Sequence, residues 1–156
     1  MQPALWKPSV TLNPQEEQIV HKIRKAKLFV FLRQHRHELF DEAFQEELAS
    51  LYRKAERGHP PIAPAVLALA LILEADTGVS DDEVIEATVM DRRWQLVLDC
   101  LDTGHAPFSK RTLVAFRQRL IERMIEIANQ SQAFGPRALR AAESTFAHFY
   151  EYFQSK

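Results

Sequence analysis

Apolar positions along this chain recur mostly at helical spacing, with helix start and stop signals standing between them. Asn13-Pro14-Gln15-Glu16 reads as a helix start, with Asn as N-cap, Pro at the first helical position and Glu closing a capping box; Ile19, Val20 and Ile23 continue the pattern. The run Leu28-Phe29-Val30-Phe31-Leu32 suits a buried helix or a short strand, and is read as buried helix. Asp41 opens a stretch that places Phe44, Leu48, Leu51 and Tyr52 on one face and runs to Gly58. The prolines of His59-Pro60-Pro61-Ile62-Ala63-Pro64 break it. From Pro64 to about Ala75 the residues are almost all apolar, which predicts a central helix buried on most sides and stopped by Gly78. Ser80-Asp81-Asp82-Glu83 is a second capping box. Asp91 caps a helix with Trp94, Val97, Leu98 and Leu101 in phase, closed by Gly104. Ser109 caps the longest amphipathic pattern, Leu113, Phe116, Leu120, Met124 and Ile127, and a last helix from about Pro136 aligns Leu139, Ala142, Phe146, Phe149 and Phe153.

The expectation is an all-α bundle of about six to seven helices containing a helix-turn-helix-like unit. Leu67, Leu71, Trp94, Leu98, Phe116 and Leu120 belong to its predicted core. Three segments follow from the breaks: an N-terminal helical segment over 1–58, a core over 59–130, and a C-terminal helix or tail over 131–156. Four glycines in 156 residues agree with few turns and long helices.

Charge changes the picture more than composition does. The net charge is −1, yet residues 74–91 carry seven acidic side chains and no basic one, while residues 105–140 carry seven basic and two acidic, a local balance of +5. Part of the acidity has a structural reason, because a carboxylate in the first turn of a helix faces the positive end of the helix dipole. The basic end is the natural place to look for an anionic partner.

Metal and nucleophile chemistry find little support. His35-Arg36-His37 and the pair Cys100 and His105 lack the spacing of a zinc site, so surface histidines and a core thiol are the readings adopted, with no metal ligand and no catalytic residue. A single cysteine and an N-terminus without a secretory pattern point to the cytoplasm, nucleoid-associated if DNA is the partner. The apolar run Ala65 to Leu73 is far shorter than the roughly 20 residues that cross a bilayer, so no membrane role is expected.

Several segments occur in the order of a known family: Pro61-Ile62-Ala63-Pro64 followed by the apolar helix through Leu71; the turn Gly78-Val79-Ser80-Asp81-Asp82-Glu83; Asp91-Arg92-Arg93-Trp94; and Phe108-Ser109-Lys110-Arg111-Thr112-Leu113-Val114-Ala115-Phe116-Arg117-Gln118-Arg119-Leu120. In order and spacing they resemble the InsH-type N-terminal domain of insertion-sequence transposases of the DDE, ribonuclease-H-like superfamily. The resemblance implies a helical domain that recognises the double-stranded terminal inverted repeats, placed ahead of a catalytic domain whose three carboxylates hold two Mg²⁺ ions for phosphoryl transfer. Where relatives run into the first catalytic Asp, this sequence reads Arg137-Ala138-Leu139-Arg140-Ala141-Ala142-Glu143-Ser144-Thr145 and continues into aromatic residues. The chain is therefore expected to lack the catalytic domain, to hold no cofactor, Mg²⁺ included, and to be inactive in cleavage by itself. Glu143 is read as a helix surface residue.

Candidate DNA contacts are Lys110, Arg111, Thr112, Arg117 and Arg119, at and after the start of a helix, the place from which a recognition helix reaches bases and phosphates. Arg92 and Arg93 support a competing placement one helix earlier. Against both stands a plain alternative, a solvated flank whose charges merely oppose the acidic middle. Two other functions compete with DNA-end binding: a regulator that occupies the ends or pairs with itself or full-length transposase, and a helical protein–protein module in which Leu69, Phe116 and the terminal aromatics make the contacts.

Overall fold

A computed structural model describes residues 5–52 and 62–134, with side chains to residue 129. The described residues form seven helices and no strand: α1 (Pro14–Lys22), α2 (Lys27–Leu39), α3 (Glu42–Ala49), α4 (Pro64–Thr77), α5 (Asp81–Met90), α6 (Arg92–Leu98) and α7 (Lys110–Phe134). Gly58, residues 59–61 of the proline-rich break, Glu143 and the expected helix from Pro136 lie outside them. No helix among the described residues is long and apolar enough to cross a membrane.

The helix starts are held by the chemistry the sequence advertises. Asn13 and Ser80 both form complete capping boxes, with Glu16 and Glu83 returning to the cap amide. Asp41, Asp91 and Ser109 accept hydrogen bonds from the amides of Phe44, Arg93 and Thr112. Gly78 ends α4 in the left-handed conformation, where its φ of 74° carries no side-chain penalty.

Two expectations need correction. Leu101 does not extend α6 toward Gly104: the helix stops at Leu98, where Asp99 turns left-handed and the amide of Cys100 reaches back to the carbonyl of Gln95. That is a Schellman ending, and the short polar Asp tolerates its φ of 57°. The Leu28 to Leu32 run is helical but not uniformly buried, because one face of α2 carries Phe29 and Leu32 inward while Phe31 remains half exposed.

Helix α4 sits at the centre, every residue from Pro64 to Leu73 buried, and packs against α3, α5, α6 and α7. Leu67, Leu71, Trp94, Leu98, Phe116 and Leu120 are all core residues, as the pattern predicts. Leu69 and Phe116 are wholly inaccessible, which removes both from any protein-contact surface. The same core extends to Phe29 and Leu32 of α2, Phe44 and Leu48 of α3, and Phe40 between them.

Two arginines of α2 are buried as deeply as these apolar side chains. The Nε of Arg33 donates to Glu16 at 2.8 Å, and its terminal nitrogens reach Glu16 and the carbonyls of Val10 and Thr11. Burial alone would raise the Glu16 carboxyl pKa; Arg33 and the Asn13 amide outweigh it and hold the group below its ordinary range. Arg36 donates to the carbonyls of Leu96, Val97 and Ser9 at 2.9–3.1 Å and lies over the Trp6 ring. Gln45 fastens the same N-terminal strap through both backbone groups of Trp6.

Two stability measurements test this packing. Phe116→Ala is expected to cost about 3–5 kcal/mol in urea unfolding, and a loss below about 1 kcal/mol would mean that α7 does not pack in this phase. Arg33→Met, which leaves the Glu16 charge buried without its partner, is expected to cost about 3–5 kcal/mol. Adding Glu16→Gln, which removes that charge and keeps a capping-box acceptor, should recover part of the loss; no recovery would show that the pair does not govern stability here.

Candidate functional site

The candidate DNA-contact residues fall into two sets. Helix α7 begins after the turn at Pro107, with Lys110 and Arg111 exposed in its first turn. Thr112 is half-buried, its hydroxyl 3.0 Å from that of Ser109, so it belongs to the cap. One turn further, Arg117 turns inward. It donates to both oxygens of Glu74 at 3.1 Å and to both oxygens of Asp81, joining α7 to α4 and to the first turn of α5. Arg119 lies over the Tyr52 ring, 4.4 Å from its centroid. Lys110 reaches Asp82 at 3.1 Å between exposed side chains.

The charge segregation in the sequence is thus partly consumed within the fold. Arg117 is the partner of the acidic middle, and its two carboxylates respond in opposite directions. The guanidinium holds Asp81 below its ordinary range, with further help from a hydrogen bond to Glu74. Burial and the neighbouring Asp81 push Glu74 above its own range despite the same guanidinium.

Arg92 and Arg93 open α6. Arg93 is bound by its own N-cap, Asp91, at 2.7 Å, and stacks over Phe29 with its guanidinium carbon 4.9 Å from the ring centroid. Arg92 is exposed and makes no hydrogen bond or ion pair with a described residue; the same holds for Arg111. Of the seven candidates, these two present uncommitted cations at helix starts.

Sequence reasoning passed over a third group. Lys22-Ile23-Arg24-Lys25-Ala26-Lys27 has four cations in six positions, and no acid occurs from residue 18 to residue 37. The signal was readable as a local charge run, but the carboxylates on either side of it, Glu16, Glu17, Glu38, Asp41 and Glu42 among them, dilute it in any count over the N-terminal part. In the fold this run forms the end of α1 and the turn into α2, beside Arg92 and Arg93.

The four described histidines and the cysteine lie as surface and core groups respectively. His21, His37 and His105 are exposed and His35 is partly so, and no group of three metal-binding side chains occurs among the described residues. Cys100 is buried, and burial together with Asp99 pushes its thiol up to about 11, which leaves it protonated and unreactive at neutral pH.

With this geometry in place, the comparison with known families decides the lineage. A family described as Transposase domain (DUF772) matches residues 17–119, from α1 through the first part of α7. The chain belongs to this transposase-domain family. No curated protein and no solved structure matches it. The matched span takes in the α1–α2 turn, the start of α6 and the Arg117 clamp. It is wider than the stretch from Pro60 to about Glu122 on which the sequence resemblance rests.

The clamp has a pH signature. Arg117→Ala leaves two neighbouring, half-buried carboxylates without their cation, and near neutral pH it is expected to lower stability by about 1–3 kcal/mol. The deficit should shrink on acidification, because protonating either carboxyl removes the repulsion. In the wild type, Asp81, with its depressed pKa, stabilises above its ordinary range and loses that contribution as pH falls through the lowered value. Glu74 has the opposite sign: its raised pKa makes stability fall as pH rises from the ordinary range through the raised one. Urea melts of both proteins across pH check this, and a deficit that does not vary with pH would rule out the carboxylates as its origin.

Proposed function

We propose that this chain is a DNA-binding module of a transposase whose partner is the double-stranded terminal inverted repeat of its own element. The observation that carries the reading is the transposase-domain match over residues 17–119, within which the uncommitted cations Arg92 and Arg111 stand at helix starts.

The residues take different roles. Arg111, exposed in the first turn of α7, is the base reader, since a guanidinium presents paired donors to the O6 and N7 edge of guanine. Lys110 exchanges a weak surface pair with Asp82 for a phosphate, an exchange that costs about 0–1 kcal/mol. Arg92 is a phosphate contact at the start of α6. Thr112 and Arg117 serve the fold: the first completes the cap, and the second locks α7 onto the acidic helices. Arg93 and Arg119 stack on Phe29 and Tyr52, which fixes their positions rather than freeing them to search for bases. In this reading the helical domain supplies recognition, and strand cleavage belongs to the Mg²⁺-dependent ribonuclease-H-like domain that the resemblance implies.

Fluorescence anisotropy with the element's terminal repeat and a scrambled duplex tests the proposal. Arg111→Ala is expected to cost about 1–3 kcal/mol on the repeat and little on the scrambled duplex. Equal affinity of the wild type for the two duplexes would overturn sequence-specific recognition. Plasmid carrying the repeat should stay uncut with Mg²⁺ present, and a metal-dependent nick traceable to this chain would overturn the division of labour.

A further inference from the structure

The turn between α1 and α2 folds against the start of α6, and an open cleft of about 390 Å³ lies between them. Its walls carry Lys22, Arg24, Lys25, Arg92 and Arg93, its floor includes Ile19 and Ile23, and no acidic side chain lines it. Arg93 is a fixed wall, neutralised by Asp91 and seated on Phe29. The other four cations are exposed, and none makes a hydrogen bond or an ion pair with a described residue. The turn itself is braced by Lys27, whose Nζ donates to the carbonyl of Ile23 at 3.2 Å.

These four differ from the basic residues of α7 other than Arg111. There Arg117 is occupied by Glu74 and Asp81, Lys110 by Asp82, and Arg123 by Glu126. Four like charges lining one cleft repel one another, and a polyanion entering the cleft relieves that repulsion. Duplex DNA fits the requirement because it presents a negative charge about every 1.7 Å along its axis, so one cleft meets several phosphates. Three of the four cations flank a turn with an apolar floor, and Gln15 is held by Asp102 at 2.9 Å. Of the uncharged polar lining, Gln18 alone is left to meet a base edge, so contact through this cleft is assigned mainly to the backbone.

We infer that the cleft between the α1–α2 turn and the start of α6 is a sequence-independent phosphate clamp for double-stranded DNA, with Lys22, Arg24, Lys25 and Arg92 as its contacts. The inference rests on the DNA-binding reading above and adds a second surface to it: the start of α7 selects the sequence, and this cleft holds the backbone.

The test is the salt dependence of binding to a scrambled duplex. Combining Lys22→Ala, Arg24→Ala, Lys25→Ala and Arg92→Ala should reduce the slope of log affinity against log salt by about three to four, near 0.9 for each phosphate that is no longer neutralised. A variant that keeps the charges, Lys22→Arg, Arg24→Lys, Lys25→Arg and Arg92→Lys, should keep the wild-type slope. So should Lys7→Ala with Arg123→Ala, which removes two charges outside the cleft. If the four-alanine variant, folded by circular dichroism, binds with the wild-type slope, the clamp is overturned while DNA binding itself stands. If Lys7→Ala with Arg123→Ala loses as much slope per charge removed as the four-alanine variant does, net charge and not the cleft governs binding; if the charge-keeping variant loses slope as the four-alanine variant does, the slope does not report these charges; either result overturns the clamp. Absence of any salt-dependent duplex binding by the wild type would bring down the DNA-binding reading and the clamp with it.

Discussion

A guanidinium withdrawn from water must find acceptors for its N–H groups, and the way Arg36 meets this demand sets the position of α6. Its acceptors are the carbonyls of Leu96 and Val97, among the last four of α6, which no intrahelical amide can satisfy. The cation also sits at the negative end of that helix's dipole. A third acceptor, the carbonyl of Ser9, ties the N-terminal strap to the same point. Burial and the nearby Arg33 push the Arg36 pKa down to about 10, still well above neutrality, so the side chain remains charged and the arrangement holds. Its Nε has no partner among the described residues, so the fold tolerates one imperfect donor at this junction.

Because α6 is only seven residues long, fixing its C-terminal end also fixes its start. Trp94 packs edge-on against Phe29 of α2, and Arg93 lies over the same ring, so α2 grips α6 from both ends. Arg92 therefore projects from a helix with little freedom to move, next to a turn that belongs to the same α1–α2 unit. Buried arginines that touch no ligand place an exposed arginine that is free to do so. The Arg117 clamp acts similarly for α7, holding its second turn to α4 and α5 while the first turn stays open at Arg111.

Helix starts and the apolar core were legible in the sequence because their causes are local. Asn13, Asp41, Ser80, Asp91 and Ser109 cap backbone amides two or three residues away, and a spacing of three or four brings Leu113, Phe116 and Leu120 to one face. What could not be read is the destination of the charged side chains. Arg33, Arg36 and Arg117 look like surface residues in a linear reading, yet their partners are 17 to 61 positions away. Sequence gives no rule for which arginine meets a distant carboxylate or carbonyl. The end of α6 was misjudged for a related reason: Leu101 keeps the helical phase, and only the left-handed turn at Asp99 shows that the chain has already left the helix.

The same distinction changes how a charge count bears on function. A local balance of +5 over residues 105–140 invites the conclusion that this stretch carries the anion-binding surface, but a charge already paired inside the fold contributes little to the field outside. Lys110, Arg117 and Arg123 meet carboxylates in this way, two of them across helices. The cations of the α1–α2 turn meet none, although they belong to a part of the chain whose overall balance is unremarkable. A protein of net charge −1 can therefore bind a polyanion without contradiction, provided its acids are spent internally and its unspent cations share one face. In this fold the internal pairing is done by α4, α5 and α7, which leaves the turn after α1 and the start of α6, together with Arg111 at the start of α7, as the places where cations remain unpaired among the described residues.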